Sequence, residues 1–332
     1  MKDILWKAGF SLVFGVLFLL LALRHMDLGL LVSLFGRLQL GFVVLGVAFL
    51  GLAYAIKWIR WHQILRQMNQ PVTPSQTRAA FFIGVLVNNI SPVKLGEVAR
   101  LASLHVASKA SKTTVLTSIL IERIFDGTAL VTLFFMSVQF IEAPLWVTVL
   151  LRLGMTLFFG LLVGCYLLTW FPLPKNKAWL ALKTKPKMAR LTAAVESLWE
   201  GMQVIHSPGR TLFVAGLSFG VWVSEWVLYW SFAQAFDFPI GIAQAGVLLG
   251  VINFGTLIFT APGSLGTFEF LMVQAFVLFG LTRTQGLAYA FFAHFWLYVP
   301  LSLVGIWYMV HAGFSLKSVL KESKGSANDD SL

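Results

Sequence analysis

The sequence predicts an all-α integral membrane protein with about six full transmembrane helices. Two further broken or re-entrant segments bring it to six to eight spans, arranged as an inverted repeat. Three observations carry this. The 332-residue chain is 58% hydrophobic and only 12% charged, against about a quarter charged in a soluble domain. Its apolar residues gather into stretches of the roughly 20 residues that a crossing helix needs. Two polar segments built on proline, glycine and glutamate interrupt those stretches about 170 residues apart, and paired breaks of this kind mark repeat halves in transporters.

In chain order, nearly uncharged stretches fall at about 8–23, 41–56, 113–141, 153–171, 211–236 and 286–313. The first has a basic start like a signal peptide but no small-residue cleavage site before Arg24-His25, so it reads as a retained span. The segments at about 79–93 and 240–281 hold the breaks; the second fits one re-entrant hairpin or two spans. Residues 1–316 form the transmembrane domain, with a basic loop at about 172–210, and 317–332 form a polar tail. Leu191, Val195, Leu198 and Met202 would line one face of an amphipathic helix within that loop. The single cysteine, Cys165, excludes a disulfide within the chain.

Lys and Arg assign the sides of the membrane. Of 25 such residues, 20 fall in the N-terminus, in 57–78, 94–112 and 172–210, and in the tail, and four (Arg24, Arg37, Arg152, Arg283) fall on the other face. Both termini are therefore expected in the cytoplasm, and a bacterial inner membrane suits this bias. The net charge of +11 is read as this topology signal and as contact with anionic lipid, not as a nucleic-acid surface. Trp6, Trp58, Trp61 and Trp170 stand near span ends, where aromatic residues anchor at the interface.

The chemistry sits at the breaks and within one span. The first break runs from Asn88 and Asn89 through Pro92, Lys94, Gly96 and Glu97 to Arg100. Lys94 and Arg100 are the types that hold phosphate, Glu97 can pair with Arg100 at i,i+3, and Gly96 would let a head group approach the backbone. Glu122, Arg123 and Asp126 lie inside an apolar stretch. There Glu122 and Asp126 share a helix face, and Arg123 can pair with Asp126. Buried charges in lipid are expensive, so such a group locks helices together or carries function. At the second break, which follows Asn253, Pro262, Gly263 and Gly266 free backbone N–H groups at a new helix start. Ser264 and Thr267 would cap that start, and Glu269 is either an acid stabilised there or a proton or ligand group. Glu225, mid-span, needs a partner or a proton. His294 is read as an ordinary hydrogen-bonded histidine.

The motifs Asn89-x-x-Pro92-x-Lys94-x-Gly96-Glu97-x-x-Arg100, Glu122-Arg123-x-x-Asp126 and Pro262-Gly263-Ser264-Leu265-Gly266-x-x-Glu269 occur in one order over about 40–313. In this the chain resembles the transmembrane flippase-domain family of lysylphosphatidylglycerol synthases, departing from it at Ser264, where glycine is expected. The resemblance implies movement of a lipid with a polar head group, anionic or aminoacylated, between leaflets. Two-domain members of that family carry an aminoacyl-transferase domain, and none is expected here, because the chain ends soon after its last span.

A lipid translocase is accordingly the first reading. Lys94, Arg100 and Arg123 would hold phosphate, with Glu97, Glu122, Asp126 and Glu269 as counter-charges. The alternatives are a membrane enzyme acting on a lipid or polyprenyl phosphate, with Glu97 or Asp126 as base or metal ligand, and an accessory subunit of a lipid synthase. The expected partners are membrane lipids, with a lipid-synthesising enzyme and a second copy of the chain as further options. No cofactor, metal site or recognisable catalytic motif is expected.

Overall fold

A computed structural model describes residues 16–23, 27–91, 95–170, 207–258 and 262–312, with scattered positions between 188 and 203. The described residues are all-helical: α1 (Val16–Leu23), α2 (Leu28–Phe35), α3 (Leu40–Gln67), α4 (Pro74–Ile90), α5 (Gly96–Ser108), α6 (Lys112–Val138), α7 (Leu145–Trp170), α8 (Pro208–Ala235), α9 (Ile242–Ile258), α10 (Thr267–Leu278) and α11 (Arg283–His311). Four of them (α3, α7 up to Leu167, α8 and α11) are long and apolar enough to cross a bilayer, and α1 with α2 forms a fifth candidate bent by 91°. The protein is an all-α integral membrane protein. Pro92, Lys94, the N-terminal 15 residues, the tail, and Leu191, Leu198 and Met202 lie outside the described residues; Val195 is helical.

Local chemistry sets the helix starts. Thr73 and Gln76 close a capping box ahead of α4, with Pro74 in its first turn. Thr282 and Gln285 do the same for α11, and the Ser111 hydroxyl accepts from the Thr114 amide at the start of α6. Each supplies an acceptor for amides that have no partner within the helix.

The expected repeat is present in the helix lengths. Adding 168 carries position 40 to 208 and 74 to 242, aligning the 28-residue α3 with the 28-residue α8 and the 17-residue α4 with the 17-residue α9. Adding 171 carries 96 to 267 and 112 to 283, aligning α5 with α10 and α6 with α11. Packing obeys the same exchange: α4 lies on α11 while α9 lies on α6, and α3 lies along α8. Even the interlocking side chains trade places. Phe134 of α6 covers Gly250 of α9, and the equivalent pair is Gly305 of α11 against the backbone of Phe82 of α4.

The equivalent helices α3 and α8 run antiparallel. The Gln39 amide donates to the Ala235 carbonyl at one end, Lys57 meets Glu225 midway, and Arg60 reaches Ser218 beyond it. Halves related by a rotation that reverses their long helices have opposite directions through a bilayer, which is an inverted repeat. Lys57 and Glu225 occupy the same position in the two halves, so their 2.6 Å ion pair lies on the pseudo-two-fold axis.

Each half holds a helical hairpin at its break. The first closes tightly: a Cβ at Gly96 would lie 2.5 Å from Asn88 Cβ and from the Gly84 carbonyl oxygen, so only glycine fits the crossing. Gly96 thus serves helix packing, where the sequence had suggested room for a head group. In the second hairpin Leu271 of α10 packs on Gly255 of α9, 16 positions earlier, which requires the chain to double back. At 17 and 12 residues, these helices span only about 25 and 18 Å, less than a bilayer core of about 30 Å. The segment 240–281 is therefore a helical hairpin with arms shorter than the four long apolar helices.

Candidate functional site

The end of α4 meets the turn that precedes α10. A Cβ at Gly263 would sit 3.3 Å from the Asn89 carbonyl. The Asn89 side-chain amide donates to Ser302 Oγ at 3.0 Å, tying the first break to α11. Gly263 and Ser264 have φ of +60° and +57° and Gly266 has φ of +81°, so the chain unwinds in left-handed conformations before α10 begins. That explains why glycine is the expected residue where Ser264 stands.

Two adjoining chambers open around this junction. One of about 200 Å³ faces α3, α5 and α6, and includes Arg60, Arg100, Glu122 and Asp126. The other, of about 540 Å³, reaches Glu225, Gly263, Ser264 and Tyr298. Lys57, Asn88, Asn89, Glu97, Arg123 and Asn253 are among the residues that border both.

Three ion-pair groups line them. Arg60 makes a two-pronged contact with Asp126, at 2.6 and 2.9 Å, and its second amino group also reaches Glu122 at 3.2 Å. Glu122 takes a second cation, Arg100, at 2.6 Å. The Arg100 guanidinium lies 3.5 Å from the Trp61 ring centroid, and the Trp61 indole donates to Ser118. Lys57 pairs with Glu225, and Arg123 pairs with Glu97 at 2.6 Å.

Several of these partners differ from the sequence expectation. Glu122 and Asp126 do share a face, but it is Arg60 that they both meet. Arg123 is the next residue after Glu122, about 100° round the helix, and so points to Glu97 instead of Asp126. Glu97 and Arg100 likewise turn to different partners on α6 instead of to each other. The charge pattern places Lys57 and Arg60 among the cytoplasmic topology charges, yet α3 continues to Gln67 and carries both into the cavity. The missed signal was the lack of a helix breaker between the apolar stretch and Gln67. Trp61 is completely buried beneath Arg100, so it is a platform in the core and not an interfacial anchor.

The second break behaves differently. Glu269 accepts the Gly266 amide through one carboxylate oxygen and meets His294 Nδ1 at 2.6 Å through the other. It therefore caps α10, a role the sequence had given to Ser264 or Thr267. His294 lies between Phe268 and Tyr298, with ring centroids 4.9 and 4.3 Å away. Those two rings line the larger chamber, so Glu269 and His294 stand behind its wall. By the repeat, His294 is the equivalent of Arg123, one acid–base pair for each half.

The family model described as the lysylphosphatidylglycerol synthase TM region matches residues 8–305. The chain belongs to this family. No curated protein and no solved structure matches it at a significant level. For this family member, the match covers both hairpins and every ion pair of the cavity.

Proposed function

We propose that this protein is a lipid translocase that moves a polar-headed phospholipid or other lipid, anionic or aminoacylated, between leaflets. The observation that carries the reading is the polar, ion-lined cavity at the interface of the inverted repeat, where both broken segments meet. A head group would occupy the chambers while its acyl chains stay in lipid. The α3–α8 seam, with Lys57–Glu225 on its axis, is the place for one half to rock against the other. Arg123–Glu97 is reachable, with side-chain exposures of 56% and 33%, while Glu269–His294 is closed off at 1% and 12%. That difference supports a cavity open toward one hairpin and shut toward the other, as alternating access requires. The charge bias supports a bacterial inner membrane with both termini cytoplasmic, and a lipid-synthesising enzyme would supply the cargo.

The enzyme reading is the weaker one, because Glu97 and Asp126, its candidate bases, are each held by a guanidinium and a base needs a free lone pair. The test is lipid movement in liposomes holding the purified protein, read with fluorescent phospholipids and an impermeant quencher. The reading expects inner-leaflet lipid to be quenched faster than in protein-free liposomes, with the gain lost in Arg123→Ala. Quenching at the protein-free rate across anionic, zwitterionic and polyprenyl lipids would overturn it.

A further inference from the structure

The cavity is electrically balanced. Among the described residues that line it, Lys57, Arg60, Arg100 and Arg123 face Glu97, Glu122, Asp126 and Glu225: four cations, four anions, net zero. Three of these acids and their partners are largely buried, with side-chain exposures from 1% to 19%, and they are committed to one another. Arg123 and Glu97 are the reachable pair, and they border both chambers.

This arrangement constrains what can enter. A bound head group displaces the water that reaches this pair, so an anionic head group that takes Arg123 leaves Glu97 without a counter-charge, and a cationic head group leaves Arg123 in the same state. Stranding one member of such a pair is the costly event in low-dielectric surroundings. A head group with one charge of each sign exchanges one ion pair for two and strands nothing. The cavity wall also holds an unmet acceptor, Asn88 Oδ1, and an unmet donor, Arg100 Nε, both buried without a hydrogen-bond partner. Orphaned groups of both kinds ask for a ligand that both donates and accepts.

We propose that the cavity selects a zwitterionic lipid head group, with its phosphate at Arg123 and its ammonium at Glu97 in place of the Glu97–Arg123 pair. The lipid nature of the ligand rests on the translocase reading; the charge selection rests on the cavity alone.

The test is retention of lipid by the purified full-length protein, measured by native mass spectrometry. The probes are phosphatidylethanolamine, phosphatidylglycerol, a trimethylammonium lipid and a monoglycosyl diacylglycerol. Phosphatidylethanolamine is expected to be retained at least about tenfold over phosphatidylglycerol and the trimethylammonium lipid, as one stranded charge implies, and also over the uncharged glycolipid, which gains no ion pair. Glu97→Gln, which frees Arg123, is expected to move the preference to phosphatidylglycerol. Arg123→Gln is expected to move it to the trimethylammonium lipid, and the swap Glu97→Arg with Arg123→Glu to restore phosphatidylethanolamine. Equal retention of the four lipids, or a wild-type preference for phosphatidylglycerol, would overturn the proposal even if no variant folds. So would single variants that keep their wild-type melting temperature and their wild-type preference. If lipid moves in liposomes while retention does not discriminate, the charge selection fails and translocation stands; selective retention with no movement has the opposite meaning.

Discussion

The two halves share helix lengths and packing order but fill the same place with different chemistry. In the first, Arg60, Arg100, Glu122 and Asp126 form a buried ionic network. Their repeat equivalents in the second are Leu228, Leu271, Ala293 and Leu297, all apolar. The second half is thus an internal control: this backbone closes well without ions at these positions. A buried ion pair is seldom a net gain in stability over apolar packing, so the network of the first half is better explained by function than by folding. The hairpin pairs differ in a matching way, reachable at Glu97–Arg123 and enclosed at Glu269–His294.

The largest effect is expected when one member of the network is removed. Arg60→Leu strands Asp126 and leaves Glu122 with one cation, and is expected to destabilise the protein by about 3–5 kcal/mol, read as the melting midpoint in detergent. Replacing the network with its counterpart from the other half (Arg60→Leu, Arg100→Leu, Glu122→Ala and Asp126→Leu together) is expected to recover that loss while abolishing lipid movement. A quadruple variant as unstable as Arg60→Leu would mean that the ions are structural after all.

A smaller effect is expected at the hairpin crossing. Gly96→Ala places a methyl group against Asn88 and the Gly84 carbonyl and should cost about 1–3 kcal/mol by overpacking. The equivalent position in the other hairpin is Thr267, which already carries a side chain, so Thr267→Ala should cost less in the same melting assay. Smaller still, Glu97→Gln removes a reachable ion pair and should shift stability by under about 1 kcal/mol; a larger loss would mark that pair as structural too. At the lower end, Ser264→Gly relieves a left-handed backbone and should stabilise by up to about 1 kcal/mol. A loss on this change would mean that the Ser264 side chain contributes more than its backbone strain costs.

Much of the fold was legible because its signals are local. Apolar stretches report helices, and proline with glycine reports their interruption, so the breaks near Pro92 and at Pro262 could be read residue by residue, while the hairpin form of the second is a matter of packing. The shared face of Glu122 and Asp126 follows from the helical period alone. The length of α3 was misjudged because a charge inside a span resembles a charge beyond its end: Lys57 and Arg60 counted toward topology when they belonged to the cavity.

From the residues alone follow an all-helical membrane protein, two interrupted segments in matching positions, and a set of charges too expensive to leave unpaired in lipid. Which charge meets which follows from helix packing. Arg60 finds Asp126 66 positions away and Lys57 finds Glu225 168 positions away, distances over which sequence spacing carries no information. The expected i,i+3 pairs lost to these because α6 is enclosed by its neighbours. Its successive side chains face different helices, and in a low-dielectric interior each charge settles against the opposite charge that the packing presents to it.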